Sequence, residues 1–338
     1  MKKYIILFFV LGCASNLKEE AELGDAPEKM LQKIEDVTPP APPKIEAVTS
    51  KVVSKKSSKK STSKKTSETK IVPHKSVAGF VEKWPFSVGE KVTYIVRYGP
   101  IEGGKASMEV APVKKLDGEV VLHYIARVRS HKFFDLFYKV DDTLQTWVRM
   151  KDHLPLRQEI SQNESGEWGR RVVIFNQKIK QQHFYSSTTR PKRETKVIDE
   201  KHTLYNNPQD MFGAYFFSRF VKNPKKITFP VHDRFKHWNN EYVFDGQEEI
   251  KTKAGTFLCN RYKVFTRVQG NLEPKGDALV WMTADDRRIM TKFNVKIRIG
   301  SITGDLVEYK PGSPWAWPIP EFATPLNLDP SKVVDNDT

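Results

Sequence analysis

The chain has 338 residues, 11% of them aromatic, a formal net charge of +15 and two cysteines. That length allows one large domain or two small ones, and the apolar residues after position 76 are enough for a core. The basic balance points to acidic partners, namely nucleic acid, anionic lipid or anionic glycan.

The N-terminus reads as an export signal. Lys2 and Lys3 form a positive start, and residues 4–11 form an apolar run. That run is too short to span a bilayer, which takes about 20 residues. "VLGC" follows, ending at Cys13. It resembles the lipobox of bacterial lipoproteins, which implies cleavage before Cys13 and acylation (palmitate or a similar chain) of its thiol and amine. Three acyl chains make such an anchor effectively permanent. Ala14, where a retained inner-membrane lipoprotein often has Asp, favours the outer membrane, with the rest of the chain facing the periplasm. Export in turn excludes nucleic acid as a partner. With Cys13 acylated, Cys259 has no partner for an internal disulfide and reads as a buried structural thiol.

Residues 13–76 read as a disordered tether. Residues 14–50 carry 4 Lys against 8 acidic residues, and residues 51–70 carry 8 Lys against 1 Glu. "DVTPPAPPKIEAVTS" favours extended polyproline geometry, and "SKKSSKKSTSKKTSETK" has no apolar period to support a core. A weak helix around "APEKMLQKIEDV" would put Met30, Leu31 and Ile34 on one face. As a coil the tether reaches about 45 Å, and fully extended about 200 Å. The lysine tract is either a solvated linker or a contact for anionic envelope polymer or lipid head groups.

The texture changes near Phe80, and residues 77–311 are expected to form the folded domain. "GEKVTYIVRYG" alternates, with Val92, Tyr94, Val96 and Tyr98 on one face, as a half-buried strand does. "PIEGG" supplies a turn, with Gly103 and Gly104 available for positive φ. "KASMEVAPV" continues the alternation, and "LDG" marks a hairpin before "GEVVLHYIARVRS". Strands are then predicted at "KVDDTLQTWVRM", "LPLRQEISQ", "EWGRRVVIFN" and "KIKQQHFYS". Turn signals mostly 8 to 15 residues apart are the pattern of an antiparallel meander that must bend or close to protect its edges.

"YNNPQDMFGAYFFSRFVKN" interrupts the strands. Asn207 as N-cap, Pro208 at the first position and Asp210 in the first turn predict a short helix near 208–221. Its aromatic face (Phe212, Phe216, Phe220) would plug the barrel core or line an apolar cavity. Strands resume at "KITFPVHD", "EYVFDGQEEIKT", "GTFLCNRYKVFTRV", "DALVWMTADD", "RIMTKFNVKI" and "SITGDLVEYK". Residues 312–338 are too proline-rich for a strand core and form a tail. The predicted fold is all-β, an antiparallel barrel or strongly curved half-barrel with one short helix. Two half-domains around the helix remain the alternative to one continuous sheet.

"VGEKVTYIVRYGPIEGGKASMEV", "YKVDDTLQTWV", "PQDMFGAYFFSRF", "KTKAGTFLCNRYKV" and the closing strand pair "LVWMTADDRRIMTKFNVKIRIGSITGDLVEY" occur in this order. Together they resemble the bacterial envelope family called Domain of Unknown Function 3108, over roughly residues 84 to 310. The resemblance implies an exported, curved or barrel-like all-β domain. It carries over no catalytic residues.

No P-loop, GxGxxG, GxSxG, HExxH or CxxC is present, and no histidine pair has metal spacing on one element, so no metal or cofactor is expected. His232 and His237 flank "DRFK" and read as surface residues. Two acidic doublets, Asp141-Asp142 and Asp285-Asp286, are the weak catalytic candidates. Neighbours on a strand face opposite ways, so a glycosidase-like acid and base would take one member of each. The bland reading of "ADDRR" is a turn. "HKFFDLFYK" (Phe134, Phe137, Tyr138) and "RFKHWNNEY" (Arg234, Trp238) mix aromatics with cations. That mixture is either core with a solvated rim or a surface that stacks on sugars and pairs with anions. The expected function is non-enzymatic binding of an envelope component, either a lipid-like ligand in the barrel or an anionic glycan on its surface, with the membrane, peptidoglycan, lipopolysaccharide or anionic lipid as the expected partners. The alternatives are an enzyme acting on envelope polysaccharide and a structural spacer.

Overall fold

The structure is a computed structural model that describes Met30 and residues 32–37, 79–80, 84–136, 138–204, 208–222, 225–234, 236–268, 271–272, 278–297 and 299–313. Cys13, Phe137, Asn207, the lysine tract and residues 314–338 lie outside the described residues. Nineteen strands and two short helices are assigned among the described residues. Two small strands come first, β1 (Ile34–Asp36) and β2 (Gly79–Phe80), then β3 (Lys91–Tyr98), β4 (Ile101–Leu116) and β5 (Glu119–Ser130). A one-turn helix, α1 (Lys132–Asp135), leads into β6 (Asp141–Arg149), β7 (Pro155–Glu164), β8 (Glu167–Asn176), β9 (Gln181–Arg190) and β10 (Arg193–Thr203). The chain then passes β11 (Gln209–Asp210), α2 (Gly213–Ser218) and β12 (Val221–Lys222). It ends in a second meander: β13 (Lys226–Asp233), β14 (Lys236–Thr252), β15 (Gly255–Val268), β16 (Asn271–Leu272), β17 (Ala278–Thr283), β18 (Met290–Lys296) and β19 (Ser301–Lys310).

The two meanders form one sheet. β19 pairs with β3, Ile302 opposite Tyr98 and Lys310 opposite Lys91, so the last strand closes onto the first long one. The antiparallel ladder therefore runs from β13 through β19 and β3 to β10. One continuous sheet is correct, and the half-domain alternative is not. The sheet curls until its ends approach. Arg171 Nη1 on β8 lies 3.3 Å from Asp233 Oδ1, Gln182 Nε2 on β9 donates to the carbonyl of Arg234, and Phe175 meets His232 edge-on. Among the described residues no backbone ladder joins these edges. β10 is exposed on both faces, "RETKVIDEKHT", and its charges protect it against pairing with another chain.

The turns follow local chemistry. Asp117 and Gly118 both have positive φ (49° and 84°), as a two-residue hairpin turn requires. The β3–β4 turn falls one step earlier than expected: Gly99 carries the positive φ of 54°, and Gly103 and Gly104 lie inside β4. Gly104 is needed for close approach instead, since a Cβ there would sit 2.2 Å from the Arg129 carbonyl oxygen.

The helix is shorter than the predicted 208–221. Gln209–Asp210 pair in parallel with β13, Val221–Lys222 pair with β2, and only Gly213–Ser218 are helical. Asp210 makes the cap. Its Oδ1 accepts the Phe212 and Gly213 N–H groups at 2.9 Å and the Gln158 amide, and its Oδ2 accepts the Thr146 hydroxyl. α2 fills the hollow of the sheet: Phe216 stacks on Tyr124 with centroids 3.8 Å apart, and Phe220 meets Phe86 and Trp84 edge-on. The helix is thus a plug.

Part of the expected tether is structured, and Ile34–Asp36 form a strand in place of the expected weak helix. Ile34–Asp36 pair with Lys114–Leu116. Met30 is fully buried against Val172 and Tyr185, and its carbonyl accepts Arg157 Nη1 at 2.9 Å. Asp117 accepts the Lys33 N–H and the Gln32 amide, both at 3.0 Å. Residue 30 is therefore a fixed point on the domain, so the expected tether from Cys13 would reach it through residues 14–29, at most about 55 Å at full stretch. Met30→Ala is expected to cost about 2–5 kcal/mol of this docking. Amide exchange should then lose protection across residues 32–37 while β5 and β6 keep theirs.

Candidate functional site

The site lies at the end of the sheet where β3 turns into β4, β5 into β6 and β18 into β19. Hydrogen bonds tie the three connections together. His131 N–H donates to the Gly103 carbonyl (2.8 Å), Gly99 N–H to the Ser301 carbonyl (3.1 Å), and the Tyr98 hydroxyl to the Ile299 carbonyl (3.0 Å). Ser130 organises the link through α1. Its Oγ accepts the Val140 N–H at 2.7 Å and donates to Asp135, and His131 caps the helix by accepting the Phe133 N–H.

Here the inward alternation of the strands runs beyond the aromatic plug. Val96, Tyr98, Val128, Val140 and Ile302, with Phe134 of α1 above them, wall an apolar pocket. Its enclosed volume is small, ≈ 20 Å³, which suits the tip of an apolar chain rather than a whole lipid. Arg97 and Arg129 belong to the same wall, each paired with an acid, Asp305 at 2.5 Å and Asp141 at 2.8 Å.

Next to the pocket lies a buried acidic pair. Val140 bridges to Glu164, the Tyr138 hydroxyl donates to Glu164, and Asp142 is 0% exposed. Asp142 Oδ1 accepts the Asn163 N–H at 2.9 Å. Burial, then the charge of Glu164, raise the Asp142 pKa to about 8. At neutral pH Asp142 therefore keeps a proton, which it can donate toward Glu164, since two bare carboxylates would repel.

The structure places the other candidates as follows. Within the first doublet, Asp141 faces out to Arg129 and Asp142 faces in, as strand alternation requires. Asp285 and Asp286 lie in the β17–β18 turn, at the α2 end of the sheet, where Asp285 holds Thr283 and Arg287. The two doublets are at opposite ends of the strands, so the expected acid–base pairing between them is not formed. Trp238 packs against the Phe229 cluster and donates to Asn240 Oδ1. Arg234 takes a positive φ of 54° in the β13–β14 hairpin, and its carbonyl accepts from His232. The second aromatic–basic group is thus a seam at the sheet edge, separate from Phe134 and Tyr138. His232 is buried rather than a surface residue and stacks on His237, 5.7 Å away. Burial lowers its pKa to about 4. Cys259 is buried beside Thr291, its thiol pushed up to about 11 by burial, so it is a poor nucleophile. Among the described residues no group of three or more metal-ligating side chains is assembled, and no helix is long and apolar enough to cross a membrane.

Glu164 escaped the sequence reading, because its hairpin "NESGE" looks like any polar turn. The pocket wall was legible as an inward face but not as an unfilled one.

A plugged, strongly curved antiparallel sheet with an apolar mouth defines a barrel-like all-β domain. The chain belongs to the family described as protein of unknown function (DUF3108), which it matches over residues 93–307. Among solved structures it is similar to a beta-barrel-like protein of domain of unknown function DUF1849 from Brucella abortus, at 12% identity, over 68% of this chain and 99% of that one, with a TM-score of 0.39. It is also similar to a protein from Parabacteroides distasonis described provisionally as a lipoprotein, at 13% identity, over 67% and 98% of the chains, with a TM-score of 0.30. No curated protein matches the sequence.

Proposed function

We propose that this chain is a lipid-anchored cell-envelope protein, acylated at Cys13 in the outer membrane, whose β-domain is a non-catalytic binding module for an amphipathic envelope molecule. The observation that supports this most is the apolar mouth under Phe134, which lies open beyond the aromatic residues of the plug. An apolar chain end would sit between Val96, Val128 and Ile302, and an anionic head would lie near Lys132 and Lys139, both exposed. The enzymatic alternative has less support, because Asp142 is sealed from solvent and its distant partners do not converge.

Val128→Trp would fill the mouth. It is expected to weaken displacement of a fluorescent fatty acid at least tenfold without lowering thermal stability by more than a few degrees. Unchanged binding would remove the pocket from the proposal. Labelling with radioactive palmitate, lost in Cys13→Ser, tests the anchor separately.

A further inference from the structure

The pocket is ringed by exposed apolar side chains. Ile101 follows the β3–β4 turn, Phe133 lies on α1, Leu136 follows it and Ile299 sits in the β18–β19 turn; they are 47%, 62%, 79% and 68% exposed. These four come from three connections that the hydrogen bonds of Tyr98, Gly99 and His131 hold at one end of the sheet. Single exposed apolar residues are ordinary, but four at one rim are a patch that marks an interaction surface. Lys132 and Lys139 bracket the Phe133–Leu136 pair, both exposed and without an ion-pair partner among the described residues. Arg129 adds a side chain 69% exposed.

We infer that this rim docks the domain on an anionic lipid bilayer, with Ile101, Phe133, Leu136 and Ile299 inserted at the head-group level and Lys132 and Lys139 against the lipid charges. The rim also carries exposed Glu102, and Asp135, which Ser130 holds, while Arg129 is paired with Asp141; the cations left without an ion pair among the described residues, Lys132 and Lys139, favour an anionic occupant. Apolar tips on separate turns, interspersed with basic residues, fit an interface that is apolar below and negative above. A protein partner would call for a continuous packed face, whereas these tips are discrete. The opposite end of the sheet carries α2, β1 and β2, so the described residues of the N-terminal segment lie away from the rim. Fully extended, the stretch from Met30 to Cys13 would span at most about 55 Å, more than the ~33 Å length of a ten-residue strand. Anchor and rim can therefore engage the same membrane. The inference goes beyond the pocket reading and does not require a ligand in it: Val128→Trp leaves the rim intact.

The test uses the full chain reconstituted in vesicles, with single substitutions Phe133→Cys, Leu136→Cys and Ile299→Cys labelled by an environment-sensitive fluorophore. Ile179→Cys, 66% exposed in the distant β8–β9 turn, serves as control. The unsubstituted chain, whose Cys259 is buried, is the labelling blank. With nitroxide-bearing lipids in phosphatidylglycerol vesicles, quenching at the three rim positions is expected to exceed that at 179 at least twofold. It should fall toward the control in phosphatidylcholine, and in Lys132→Glu/Lys139→Glu. Equal quenching at all four positions would overturn the inference, and so would equal quenching in neutral and anionic vesicles. Shielding of the rim from aqueous iodide without lipid quenching would assign it to a protein, a second copy included, and would also overturn the inference.

Discussion

Replacing Glu90 by glutamine is expected to lower the unfolding free energy by about 3–5 kcal/mol, because it leaves a buried cation without its counter-charge. Arg219, the residue after α2, is fully buried. Its Nη1 and Nη2 meet the two Glu90 oxygens at 2.6 and 3.1 Å. Nη2 also donates to the Pro85 carbonyl and Nε to the Arg287 carbonyl, both at 2.9 Å, and the guanidinium lies over the Phe86 ring at 5.2 Å. One side chain thus ties the plug to the start of the first meander and to the β17–β18 turn of the second. For a domain of this size the loss corresponds to a drop in melting temperature of about 6–20 °C, readable by circular dichroism. Arg219→Met combined with Glu90→Leu should recover part of it, since an apolar pair carries no desolvation cost. A loss under about 1 kcal/mol for Glu90→Gln would show that water reaches the site.

Stability is expected to peak near pH 6.5 and to decline on both sides. Burial lowers His123, His153 and His232 to about 4 from 6.5. Between those values the unfolded chain binds protons that the folded chain refuses, so stability is lost as the pH falls through that window. Asp142 acts in the opposite sense. Its folded pKa, raised to about 8 from 3.8, means the folded chain keeps a proton that the unfolded chain has released, so its contribution is lost as the pH rises toward 8. Below 6.5 three histidines outweigh one carboxyl, and between 6.5 and 8 the carboxyl dominates. Asp142→Asn, whose amide can donate to Glu164 as the proton does, should flatten the alkaline limb and leave the acid limb in place. Urea midpoints at pH 5, 6.5 and 8 give the comparison, and an unchanged alkaline slope in the variant would remove Asp142 as its cause.

Where local pattern and burial agreed, the elements were legible. "EWGRRVVIFN" coincides with β8, Glu167–Asn176, because alternation and a turn bounded it on both sides. β10 was missed because "RETKVIDEKHT" is polar on both faces. It is a strand only because β9 offers it a backbone ladder, from Thr188–Lys196 to Gln181–Thr203. The helix was found but overextended, since Pro208 and Asp210 look like a helix start whereas Asp210 caps from outside, at a bend. β1 was hidden in a segment whose composition argues for disorder, and its order comes from Asp117, Arg157 and a slot between Val172 and Tyr185, none of them near in sequence. Of the candidate site, Phe134 and Tyr138 were named for their aromatic–basic setting; Phe134 walls the mouth, and Tyr138 bonds Glu164 next to it. Trp238 shared that signature and belongs to a packed seam, because composition does not say which face a ring turns to.

What the sequence determined alone is what depends on neighbouring residues. Period-two alternation specified the strands, Asp117–Gly118 the tight hairpin, and the lack of any catalytic motif a domain without a legible reaction. "VLGC" set the expected address. What only the tertiary structure decided needs residues brought together from afar: β19 against β3, Arg219 onto Glu90, Asp142 beside Glu164, and four apolar tips gathered at one rim. Backbone preference and hydrophobic period act over a few residues, whereas burial, charge coupling and surface patches depend on which segments the curled sheet makes neighbours.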